Sequence, residues 1–187
     1  PAVIEKYTSG ARAEVAQYLP YGIYAIDIQD EATLANRQQR YEVCFSEHCQ
    51  ARYRQWLKEH YGDIAALNAE WDTEFASFDE VRGVTTEQIR GTTNFAPFVD
   101  FRLFMTEVWV DGMRRITQAF NEGLPTARVG HTNTFGSLVT NGVDYYRLAT
   151  ECGFGWAQEY SEAIKGNAQK AVFELWRSFT PQDFPNY

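Results

Sequence analysis

An alternation of strand-like and helix-like segments is the strongest constraint on what this chain can fold into. Three short segments, 22–28, 127–133 and 154–160, carry the signature of buried strands, and longer helical patterns separate them. In the first, the even positions Tyr24, Ile26 and Ile28 are apolar, while Ala25, Asp27 and Gln29 are small or polar. Strand side chains alternate between faces, so this pattern suits a strand with helices on one side and a polar interior on the other. Helical segments between strands predict a parallel α/β sheet with helical crossovers.

The helical segments differ in strength. Residues 9–18 carry a weak pattern, Ala13, Val15, Ala16 and Leu19, stopped by Pro20. From His48 to His60, the residues Tyr53, Trp56, Leu57 and His60 fall on one helical face. Gly62 ends that helix and Asp63 caps the next, which presents Ile64, Leu67 and Trp71. Residues 72–96 read as a long loop, with Gly83, Gly91 and Pro97 as breakers. The longest stripe runs over 98–121: Phe98, Phe101, Met105, Val108, Trp109, Gly112, Met113, Ile116 and Phe120. Gly123 and Pro125 end it. Further helices are predicted over 142–151 and 163–179, and 181–187 trails off. No repeat or linker divides the chain, so 1–187 reads as a single domain.

Composition narrows the function. The formal charge, 17 basic against 25 acidic residues, is −8. That argues against a general electrostatic grip on nucleic acid. No apolar run approaches the roughly 18–20 residues of a membrane span. The start, Pro1 to Lys6, has no signal-peptide pattern, and a soluble protein is expected. A hydrophobic share of 44% with 16% aromatics supplies a core. Three strands are few for a complete domain of this class, and a closed (β/α)₈ barrel takes about 250 residues. The chain is therefore expected to be incomplete.

Asp30 and Glu31 follow the end of the first strand, where parallel α/β folds place catalytic groups. A carboxylate there serves as acid or base, or else caps a helix. His131 and Asn133 end the second strand, and Glu159 and Tyr160 the third. Each suits the lining of a polar pocket, or an ordinary hydrogen-bonding role. Cys44 and Cys49, with His48 between them, have zinc-ligand chemistry, but two thiols at this spacing also suit a bridge or no joint role. The third cysteine is Cys152. No phosphate-binding glycine loop or nucleophile elbow is present in the sequence.

One segment is specific. Tyr41-Glu42-Val43-Cys44-Phe45-Ser46-Glu47-His48-Cys49-Gln50-Ala51 leads to Trp56-Leu57-Lys58, Tyr61-Gly62, Leu67-Asn68, Trp71 and Phe75. This resembles the β-galactosidases of glycoside hydrolase family 42, whose segment after the fourth barrel strand reads C-x-C-x-x-C-Q, W-L-K-x-x-Y-G and L-N-x-x-W-x-x-x-F. The helix with Phe101-Arg102 and Phe104 is similar to the one before that family's fifth strand. The resemblance implies part of a (β/α)₈ TIM barrel, about strands four to six. It also implies retaining hydrolysis of β-galactosides or related glycosides by two carboxylic acids. Glu31 takes the position of the family's acid/base. The preceding residue is Asp30 rather than the family's Asn, which replaces an amide donor with an acceptor and should raise the pKa of Glu31. The family's nucleophile ends the seventh strand, expected beyond this chain. Glu159 lies one strand too early and is expected to line the sugar site with Asp30, His131, Asn133 and Tyr160. The family's zinc cluster uses three cysteines here and one earlier; Ser46 stands at the middle position, so no metal or other cofactor is expected. A carbohydrate substrate and a tendency to self-associate are the expected partners. Two competing readings are a non-catalytic sugar- or partner-binding module and a small zinc-binding domain.

Overall fold

The computed structural model describes residues 2–23, 25–28, 34, 43–124, 128–134, 143–158, 174 and 177–179. Three strands, β1 (Ala25–Asp27), β2 (Arg128–Thr134) and β3 (Phe154–Gln158), form one sheet in that spatial order, parallel throughout. Ile26 sits opposite Val129, and Thr132 opposite Trp156. The expected strand 22–28 is shorter in the ladder, although the Ile28 N–H still donates to the Gly130 carbonyl at 2.9 Å. The described residues gather into two compact units, 1–33 with 109–138 and 143–187, and 34–108 with 139–142.

The first unit holds the sheet. Helix α1 (Ala2–Ala16) leads through a 3₁₀ turn, Leu19–Tyr21, to β1. The helix expected over 9–18 therefore begins seven residues earlier and ends two earlier. Its buried side is narrow: Ala11 and Val15 pack against the sheet cluster while most other positions stay exposed, so the periodicity is faint. That cluster joins Ile26, Ile28 and Val129 to Phe120 and Leu124. Apolar even positions in β1 thus meet helices, while Asp27 is exposed. Helix α6 (Tyr145–Glu151) starts three residues later than expected. Asp144 is its cap, accepting from the Arg147 N–H at 3.0 Å. Its Leu148 and Ala149 pack with Val110, Met113 and Cys152. Gly153, at φ 101°, leads into β3. A side chain there would collide with the Val129 carbonyl, so only glycine fits this approach. Of the helix expected over 163–179, Glu174 and 177–179 are described, and they are helical. The rest, and 181–187, lies outside the described residues.

The second unit is helical among its described residues. Helix α2 (Glu47–Tyr61) starts at Ser46, whose hydroxyl accepts from the Cys49 N–H. It stops at Gly62, φ 79°, whose N–H returns to the Lys58 carbonyl. Asp63 caps α3 (Ile64–Trp71), accepting from the Ala66 N–H at 2.8 Å. The segment 72–96 is not wholly a loop. It holds a 3₁₀ turn, Phe78–Glu80, and one short helix, α4 (Thr86–Ile89), closed by a reciprocal Thr85–Gln88 capping box. Pro97 breaks nothing: it lies in the first turn of α5 (Ala96–Gly123), where a missing N–H costs no helical bond. The core joins Tyr53, Leu57, Leu67, Trp71, Val81, Phe101, Phe104 and Met105. Full burial of one such side chain contributes about 1.5–3 kcal/mol. Phe101 lies where a side chain on Gly83 would stand, so that glycine serves a close approach.

Candidate active site

Parallel pairing points all three strands toward the same edge of the sheet: Thr134 lies opposite Gln158, and Asp27 opposite Gly130, four residues before the end of β2. Asp30 and Glu31 follow β1 in the chain, and Glu159 and Tyr160 follow β3; all four lie outside the described residues. His131 and Asn133 are in β2, opposite Gly155 and Ala157. All three strands run toward that edge, and the carboxyl end of a parallel sheet is where α/β folds put their chemistry.

The exit of β1 is held from two sides at Ile28. The N–H of Ile28 bonds to β2, as above, and its carbonyl accepts from the Tyr7 hydroxyl of α1 at 2.6 Å. Burial, and then the negative charge of Asp27, push the Tyr7 phenol above its ordinary value, so it stays a donor. On the path into β3, Thr117 donates to the Cys152 carbonyl at 2.7 Å.

The residues that carried the resemblance assemble around a different group. Asp100 is buried, and one of its oxygens accepts from the Tyr61 hydroxyl at 2.5 Å and from Trp71 Nε1 at 2.8 Å. Burial, then the bond to Asp100, drive the Tyr61 phenol upward. Burial, then the charge of Asp100, do the same to Tyr53. Asn68 closes the following turn, accepting from the Thr73 hydroxyl and the Phe75 N–H and donating to the Phe75 carbonyl. Gln50, fully buried, donates to the Cys44 carbonyl at 2.9 Å and accepts from the Gly83 N–H at 2.8 Å. The signature residues thus form a packing and hydrogen-bonding frame. Sequence reasoning missed Asp100, and it quoted Gln50 in the signature without giving it a role. The available signal was a carboxylate two residues after Phe98, on the same helical face as Phe104.

Cys44 and Cys49 are free thiols that hydrogen-bond to each other. Burial first, then Cys49, pushes the Cys44 thiol up to about 12. Among the described residues no three His, Cys, Asp or Glu side chains gather as a metal-holding group. Cys44, His48 and Cys49 number three, and a closed structural zinc site takes four ligands. Two clefts flank α2. One, of about 400 Å³, is lined by Arg52, Gln55, Trp56, Glu59, Phe104, Glu107 and Val108. The other, of about 360 Å³, includes Arg54, Lys58 and Asp79. Neither contains a residue expected at the site. Among the described residues no helix is long and apolar enough to cross a membrane.

A parallel sheet in sequential strand order, with helices packed on it and strands running toward one edge, is the arrangement of consecutive units of a (β/α)₈ barrel. Residues 21–182 match the family model described as β-galactosidase of glycoside hydrolase family 42, and the chain belongs to that family. A β-galactosidase of an Arthrobacter species is 32% identical over 114 residues, 57% of this chain and 16% of that protein. A β-galactosidase of a Planococcus strain is 26% identical over 117 residues, 58% of this chain and 17% of that protein. The crystal structure of the β-galactosidase from Rahnella sp. R3 superposes on all of this chain and 27% of its own, with a TM-score of 0.77 and 18% identity. The fold is thus part of a TIM barrel, and the chain spans about a sixth of the length of the curated relatives it matches.

Proposed function

We propose that this chain contributes the acid/base half of a retaining β-galactosidase site, with both compact units belonging to one catalytic barrel domain. Glu31 protonates the leaving glycosidic oxygen while a second carboxylate attacks the anomeric carbon. Glu31 then takes a proton from the water that releases the sugar. The observation that carries this reading is the family match over 21–182. The parallel register supports it, because Glu31 follows a strand whose carboxyl end lies on the edge where such folds do chemistry. With the strands taken as fourth to sixth, the nucleophile belongs to the seventh and is assigned to no residue here. Asp30, His131, Asn133, Glu159 and Tyr160 are the proposed sugar-contacting positions.

In the longer protein that contains this segment, Glu31→Gln should lower turnover of an aryl galactoside by about 10²–10⁴-fold, the usual contribution of a positioned proton donor. Undiminished turnover removes Glu31 from the role.

A further inference from the structure

We infer that Tyr7 is a positioning residue for the acid/base, acting through the Ile28 carbonyl. The inference rests on the assignment of Glu31 proposed above. The strand ladder of β1 ends at Asp27, and Glu31 stands four residues on. Ile28 is the last described residue before it, and its peptide groups are held on two sides. Its N–H donates to the Gly130 carbonyl of β2 at 2.9 Å, and its carbonyl accepts from Tyr7 at 2.6 Å. The second bond joins residues 21 apart in sequence, tying the first half of α1 to the exit of the strand that follows it. Tyr7 is otherwise poorly placed for a packing role, being 45% exposed. Its hydroxyl is the part engaged with the fold. A general acid must stay within about 2.6–3.2 Å of the oxygen it protonates. The ladder fixes the exit of β1 at the Ile28 N–H alone, and Tyr7 adds a second hold at its carbonyl. The Tyr7 bond thereby acts on Glu31 through the backbone that precedes it.

The test is Tyr7→Phe in the longer protein, which keeps the ring and deletes the donor. Turnover is compared on two aryl galactosides, one with a poor phenolate leaving group and one with a dinitrophenolate that departs without a proton. The ratio of kcat/KM on the two is independent of how much enzyme is folded. The expected result is a ratio shifted about tenfold against the poor leaving group, with a displaced alkaline limb in the pH profile of kcat/KM. A ratio and profile equal to those of the parent overturn the proposal. So does an equal loss on both substrates, which marks a general structural role. Glu31→Ala is the separate control: if azide fails to restore its turnover, the assignment of Glu31 fails whatever Tyr7→Phe shows.

Discussion

In the helical unit, turns are wired by side chains. Asn68 closes the chain onto Phe75, Gln50 ties Cys44 to Gly83, and Asp100 gathers Tyr61 and Trp71. In the sheet unit, the same task falls mainly to backbone: Ala25 pairs with Arg128, about a hundred residues away, and Gly153 slips beneath the Val129 carbonyl. The helical unit joins most of its buried polar groups within the contiguous stretch 43–108. The sheet unit is ordered by distant pairings, and among the described residues β1 and β3 each pair with β2 alone. A frame that is locally complete can carry family signatures without carrying chemistry. An edge assembled from distant strands is where reacting groups from separate segments meet.

The comparison can be broken most sharply at Phe101, fully buried against Tyr53 and Phe104. Phe101→Ala should cost about 3–5 kcal/mol in urea unfolding. A loss under 1 kcal/mol would show that the helical unit is loosely packed. Asp100→Ala strands the Tyr61 hydroxyl and Trp71 N–H and should cost about 2–4 kcal/mol, whereas Asp100→Asn, which keeps an oxygen acceptor, should cost less than half of that. Equal losses would refute the carboxylate as a shared acceptor. In the sheet unit, Gly153→Ala should cost at least about 1–3 kcal/mol from backbone conformation, before any clash with Val129. A neutral substitution there would mean β3 is not held as described. Ser46→Ala should remove about 1 kcal/mol as a lost helix cap, read in the same unfolding assay.

The smallest effect at neutral pH concerns Cys152, whose thiol donates to the Val110 carbonyl and is pushed by burial up to about 12. Below pH 9 both folded and unfolded chains keep this proton, and stability does not respond to it. Between about 9 and 12 the unfolded chain releases a proton that the folded chain retains, so stability falls as pH rises. Cys152→Ala should flatten that part of the stability profile relative to the parent. An unchanged slope would show that the thiol is not held protonated by the fold.

Much of this was legible in the residues. The three strands, the Gly62 stop, the Asp63 cap and the long helix through Phe101 and Met113 follow from periodicity and capping chemistry, which are local. Pro97 misled because proline ends a helix or begins one according to position, and its neighbours did not say which. Helix α1 was half visible because a narrow buried stripe gives little periodicity. The partners of Asp100 were not legible: Tyr61 and Trp71 lie 39 and 29 residues away, and nothing local marks a carboxylate as their common acceptor.

For the candidate site, the sequence named Glu31 by its place after a strand and by family likeness. It also determined the period-two pattern that turns Ile26 and Ile28 toward helices. The parallel sheet was expected from the alternation; only the tertiary structure decided its register, with Ala25 opposite Arg128 and Thr134 opposite Gln158. Only it showed Tyr7 reaching the exit of β1. The physical reason is range. Periodicity, capping and turn preference act over a few residues and are written in the chain. Pairing and buried hydrogen bonds join residues tens to a hundred positions apart, and they exist only once the backbone has closed.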